Sequence, residues 1–144
     1  MTSRAKPKPI QTTRTEAEVT IKPTIAYFAS VAFIPDWHPT PLNELMGHPM
    51  TTHRKKTLDQ SVVATYCRLC GVRPATCKRR VRLVLVFAKG QRCPDPDAFW
   101  KSLADALVQC GALVNDSRDW VEYLPVEYCR GDRKSSTIVL EDMM

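Results

Sequence analysis

The sequence predicts a single-domain α/β (α+β) fold, a mixed β-sheet packed with helices, and three observations lead there. The chain has 144 residues, enough to bury one hydrophobic core and not two. Val81 to Ala88 is an almost unbroken apolar run, the pattern of a strand buried on both faces. Strand-like and helix-like periods follow one another in the order strand, helix, strand, helix, strand, strand, which suits one layer of helices on a sheet.

Residues 1–22, rich in Lys, Thr and Pro, carry neither hydrophobic period and read as a flexible basic arm, so the folded domain is expected over 23–144. Thr24 to Ile34 is apolar, β-branched and aromatic between Pro23 and Pro35, and it predicts the first strand. Prolines at 35, 39, 41 and 49 forbid a long regular element in the loop that follows. Thr51 to Gly71 is bracketed as a helix, with Leu58, Val62, Tyr66 and Leu69 along one side. After a basic turn and the strand at 81–88, a second helix starts at Asp95 and stops near Cys110, where Gly111 stands ready to end it. Trp100, Leu103, Leu107 and Cys110 make its buried stripe. Trp120 to Tyr128 and Ser136 to Leu140, parted by the turn-like Arg130-Gly131-Asp132, predict a closing hairpin.

Lys and Arg number 21 against 15 acidic residues, for a formal charge of +6. The pI near 9.1 favours a polyanionic partner such as nucleic acid. No apolar stretch is long enough for a membrane span and no secretory signal is visible, so a soluble cytoplasmic protein is expected. The six cysteines are scattered over several elements, which suits reduced thiols. Cys67-Arg68-Leu69-Cys70, with Cys77 nearby, is half of a zinc knuckle whose second half is missing. His53, Arg54, Lys55 and Lys56 stand at a helix start, where cations oppose the backbone dipole unless an anion binds there. A solvated charged face explains them as well.

The densest chemistry is the segment Cys93 to Lys101, CPDPDAFWK. Asp95 suits an N-cap, Pro96 the first helical position and Asp97 the positive end of the dipole, so capping accounts for both acids. Lys101, one turn after Asp97, fits a surface ion pair. The alternative is that Asp95 and Asp97 hold a hard divalent cation such as Mg²⁺, which takes few protein oxygens and keeps waters. In that reading Lys101 supports charge developing on a phosphodiester, and Asp116, beyond the helix end, is a third candidate ligand.

These residues, Asp95, Asp97, Lys101, Asp105-Ala106-Leu107, Gly111 and Asp116, resemble the RusA family of Holliday-junction resolvases. That family's pattern is Asp-x-Asp-Asn, a lysine four residues after the second Asp, an Asp-Ala-Leu segment, a glycine and a further aspartate. Pro41-Leu42-Asn43 and the basic stretch His53 to Lys56 are similar to the family's upstream loop, so the resemblance spans about residues 25–142. Ala98 replaces the family's asparagine, Pro96 stands between the acids, and the preceding basic run is reduced to Lys89 and Arg92.

The resemblance implies a RusA-like fold and a Mg²⁺-dependent endonuclease, with Mn²⁺ as an alternative ion, that resolves four-way DNA junctions. It implies Asp95, Asp97 and Asp116 as metal ligands and Lys101 as the charge-stabilising residue. His53, Arg54, Lys55, Lys56, Lys78, Arg79 and Arg80 are the candidate phosphate contacts, with Asn43 touching DNA or ordering its loop. A helix from Pro96 to Cys110 is about 20 Å long, which sets Asp116 far from the acid pair. A twofold homodimer, each site shared between chains, removes that difficulty and agrees with the family. The competing readings are a non-catalytic nucleic-acid-binding protein and a zinc-stabilised interaction module on Cys67, Cys70 and Cys77.

Overall fold

The computed structural model describes residues 29–42, 44 and 49–143. The N-terminal arm, the Thr24 to Phe28 part of the first strand and Asn43 lie outside them. The elements are β1 (Ala29–Pro35), α1 (Pro49–Leu69), β2 (Arg79–Ala88), a 3-10 turn (Pro96–Phe99), α2 (Trp100–Gln109), β3 (Val121–Tyr123), β4 (Glu127–Gly131) and β5 (Ser135–Asp142). This is the expected mixed α/β architecture. The five strands form one sheet of order β1-β5-β2-β3, with β4 also paired to β2.

β2 is central, as its apolar run predicts. β5 runs antiparallel along one side of it, from Arg79↔Asp142 to Val86↔Ser135. The other side takes β3 and then β4, both parallel, in registers Val81↔Tyr123 and Val84↔Glu127. The closing hairpin expected from the turn at 130–132 is therefore not formed. β4 and β5 flank β2 instead of pairing with each other, because the α2 crossover returns the chain parallel to β2 and leaves β2's far side open for β5.

Both helices cover one face of the sheet. Val81, Leu83, Leu85 and Phe87 of β2, with Ala32, Ile34, Ile138 and Leu140 of its neighbours, meet Val63 and Cys67 of α1 and Leu103, Ala106 and Leu107 of α2. The stripe expected on α1 is rotated by one residue: Asp59, Val63 and Cys67 are buried, while Leu58 and Leu69 are 60% and 70% exposed. A step of one residue turns a helix by about 100°, so the packed face is decided by α2 and the sheet rather than by the apolar spacing alone. The stripe of α2 is close to expectation, with Leu103 and Leu107 fully buried and Trp100 and Cys110 packed at its margin. Gly111, at φ +85°, ends it in the left-handed conformation.

Gly131 meets β2 so closely that a Cβ built there would stand 2.8 Å from Val86 Cγ1. Gly131→Ala is expected to destabilise the fold by about 1–3 kcal/mol through overpacking. Val86→Ala in the same chain should restore most of that loss in a denaturant titration, and no rescue would place the strain elsewhere.

Candidate active site

β2 ends at Ala88, and the chain turns there into the segment that carries the acid pair. Arg130 of β4 braces this turn, its Nη1 donating to Ala88 O (2.8 Å) and Gln91 O (2.5 Å), while Ala88 N donates to the Gln91 side chain (3.1 Å). The Tyr128 hydroxyl donates to Pro94 O. Burial first, then the negative charge at Cys93, Asp95 and Asp97, push Tyr128 up to about 12. That hydroxyl is thus a donor at every ordinary pH, and the bond is lost only as pH rises through that value. Beneath it Tyr128 packs on Phe87 at 4.9 Å and on Phe99 at 6.3 Å, which seats the 3-10 turn on the sheet.

Asp95 caps that turn, Oδ1 accepting from Asp97 N at 3.2 Å, with Pro96 next in line. The capping role read from the sequence is present. Asp97, exposed in the first turn, makes no side-chain hydrogen bond or ion pair among the described residues. Both carboxylates line an open cleft of about 1090 Å³. Ala98, in the place of the family's asparagine, lines it too.

The opposite wall is the proline-rich loop after β1, presenting His38, Thr40, Pro41 and Leu42. His38 Nε2 bonds Val86 O at 2.8 Å, and its ring stands 4.4 Å from Phe87. Burial lowers its pKa, outweighing the carbonyl of Val86, and the charge of Lys134 adds to the lowering. The neutral ring is the form that fits this wall, and its stabilising contribution is lost as pH falls through the folded-state value. The loop is also tied inward to Asp59 of α1, which accepts from Trp37 Nε1 (3.2 Å), Thr40 N (2.9 Å) and the Ser102 hydroxyl. Arg92 and Lys134 bring positive charge to the same cleft.

Lys101 stands in the first turn of α2, outside the cleft lining, its side chain 56% exposed and 3.7 Å from Asp105. Asp116 is at the other end of the helix, in a hollow of about 270 Å³ shared with Gln60, Asp105 and Asn115. One chain therefore joins Asp95 with Asp97 and leaves Asp116 apart. Among the described residues no three His, Cys, Asp or Glu side chains gather to hold a metal ion. The pair Asp95 and Asp97 nonetheless fits Mg²⁺, which commonly takes one or two carboxylates and fills its octahedron with water.

The basic residues divide into two groups. His53, Arg54, Lys55 and Lys56 begin α1, and Lys55 pairs at 3.4 Å with Glu44, itself part of the cleft lining. Lys55 thereby reaches the rim of the cleft. Lys78, Arg79 and Arg80 instead lie at the opposite, N-terminal end of β2. Arg79 is only 3% exposed, its Nε donating to Asp142 (2.7 Å) and its Nη1 to the carbonyls of Arg73 and Ala112. It staples the fold and has no surface to offer a phosphate, which corrects its reading as a contact. Arg80 is held between Glu122 (3.5 Å) and Glu141 (3.7 Å).

The knuckle cysteines face different surroundings. Cys67 is buried beside the Cys110 thiol, which together with burial pushes it up, while Cys70 is exposed. All six cysteines are unpaired. The sequence reading passed over Asp59, Tyr128 and Lys134. Only Asp59 left a trace, as a charge four residues before Val63 on what proves to be the buried face. Comparison with protein-family models and with curated proteins finds no match to the chain.

Proposed function

We propose that the chain is a Mg²⁺-dependent endonuclease that hydrolyses phosphodiesters in branched DNA, with four-way junctions as its substrate and DNA recombination and repair as its setting. One observation carries this: Asp95 and Asp97 share a cleft with Arg92 and Lys134, and Lys55 of α1 reaches its rim through Glu44. Acids that can hold a cation thus lie along a path that can hold phosphates.

In this reading Asp95 and Asp97 hold the divalent ion, Mg²⁺ or Mn²⁺. When bound, the ion supplies an activated water and neutralises phosphoryl charge. Asp95 does so while capping its turn, since Oδ1 accepts the Asp97 amide and the second oxygen is left for a ligand. Lys101 adds positive charge one turn along the helix. Asp116, at the far end of α2, serves the site of a second copy in a twofold dimer, giving two sites for two nicks. Arg54, Lys55 and Lys56 hold the backbone of an arm, with His53 beside them.

The cap bond of Asp95 favours the competing reading of a protein that binds nucleic acid without cutting it. No helix among the described residues is long and apolar enough to cross a membrane.

The test is incubation of a synthetic four-way junction and a linear duplex of the same sequence with Mg²⁺, and separately with Mn²⁺. Paired nicks in the junction alone are expected. No cutting with either ion would leave only the binding reading, and equal cutting of the duplex would remove the preference for branches. Binding should weaken steeply with salt, and removing Arg54, Lys55 and Lys56 together should flatten the log–log slope by about 2–3. An unchanged slope would take these residues off the DNA.

A further inference from the structure

We infer that Asp59 is a positioning residue for this site, one carboxylate that sets the cleft wall at 37–40 against the helix start carrying the acid pair and Lys101. The inference rests on the endonuclease reading and extends it to a residue that lines no part of the cleft. Asp59 is 3% exposed and lies on the same face of α1 as Val63 and Cys67. An isolated carboxylate in such a place is strongly disfavoured, and an apolar side chain of similar volume would commonly serve stability as well or better. What the carboxylate adds is direction.

Its three donors come from two separate parts of the chain, the loop at 37–40 and the first turn of α2. Oδ1 accepts the Trp37 indole N–H at 3.2 Å, and Oδ2 accepts the Thr40 amide at 2.9 Å together with the Ser102 hydroxyl. Trp37 and Thr40 bracket His38 and Pro39, the inner part of the cleft wall. Pro39 and Pro41 on either side of Thr40 restrict its backbone, so fixing that amide fixes the run. Ser102 follows Lys101 directly in the first turn of α2, and the turn with Asp97 comes just before. Bonds to a charged acceptor are the stronger and better-directed kind. Both sides of the cleft are thereby referred to one point in the interior. His38 Nε2 on Val86 O and Ser136 Oγ on Trp37 O hold the wall at other places, so loss of Asp59 should loosen the wall without unfolding the domain.

Asp59→Asn keeps one acceptor oxygen, and its NH₂ has to face either the Trp37 N–H or the Thr40 N–H, so at least one bond is lost. Two readouts are needed: single-turnover cleavage of a four-way junction with Mg²⁺ beside junction affinity without divalent metal, and hydrogen exchange of the Trp37 indole N–H by NMR, assigned with Trp37→Phe. A displacement of about 1 Å at reacting groups can cost on the order of 10²-fold in rate. Asp59→Asn should therefore cut about 10- to 100-fold more slowly with affinity within about threefold, and the Trp37 N–H should exchange faster. Trp37→Phe and Ser102→Ala, each removing one donor, should cut about 3- to 10-fold more slowly, which keeps the inference testable if Asp59→Asn does not fold.

Folded Asp59→Asn that cuts at the wild-type rate overturns the assignment, whether or not the indole exchanges faster. So does a loss of rate and affinity in equal proportion to lost folded protein, which a purely structural group would give. Wild-type protein that cuts no branched DNA overturns the endonuclease reading and this assignment together.

Discussion

Asp97→Asn is expected to bind a four-way junction at least as tightly as wild type and to cut it about 10²- to 10³-fold more slowly in Mg²⁺, a loss of about 2.7–4 kcal/mol of transition-state stabilisation. The two effects have opposite causes. Asp97 is exposed and bonded to no other side chain among the described residues, so its replacement costs the fold little. It also removes a negative charge from the phosphate path, which favours binding titrated without divalent metal. The rate falls because an amide is a poor ligand for a hard cation. Lys101→Ala should behave similarly at the chemical step. Its pair with Asp105, at 3.7 Å on an exposed flank, contributes only about 0.2–1 kcal/mol to stability, so a loss of cutting cannot be charged to unfolding. Quantitative cleavage beside a binding titration reads both effects. Wild-type cutting by either variant would take that residue out of the site.

Mixed dimers should recover activity that neither parent has. If Asp116 completes the site of its partner, Asp97→Asn and Asp116→Asn homodimers each have two broken sites. A heterodimer of the two has one site with both defects and one with none. Refolding an equal mixture gives half heterodimers, each with one working site, so about a quarter of wild-type nicking should return. The products should be single nicks rather than resolved duplexes, since only one site works per junction. No recovery after verified subunit exchange would mean that Asp116 does not act across chains, and a monomer by light scattering that cuts would end the dimer itself. The separation of Asp116 from the acid pair, at opposite ends of α2, is what makes the test decisive.

The legible parts of the molecule are those whose signals are local. Asp95-Pro96-Asp97 and Gly111 mark the two ends of a helical segment because caps act within one turn of themselves, and the structure has the cap bond and the left-handed glycine at those places. The run Val81 to Ala88 announces a central strand, but burial on both faces is not what the fold gives. Val81, Leu83, Leu85 and Phe87 are buried under the helices, while on the other face Val84 is buried and Arg82, Val86 and Ala88 are half-buried. Within the candidate site, the acid pair was visible and its wall was not. The wall is built from His38 and Thr40 by bonds to Val86 and Asp59, partners 48 and 19 residues away.

Strand periodicity by itself determines that Trp120 to Tyr128 and Ser136 to Leu140 hold extended segments, and tertiary structure decides that β3, β4 and β5 flank β2 rather than close a hairpin, because a pattern of faces carries no record of the neighbour. Apolar spacing determines that α1 exists, while packing against α2 chooses the face one residue over and turns Asp59 inward. Charge counting puts Arg79 among the surface cations; only the fold, by surrounding it with Asp142 and two carbonyls, makes it an interior staple. In each case the sequence settles what depends on residues within a turn or a strand, and the tertiary structure settles what depends on partners that only chain closure brings within bonding distance.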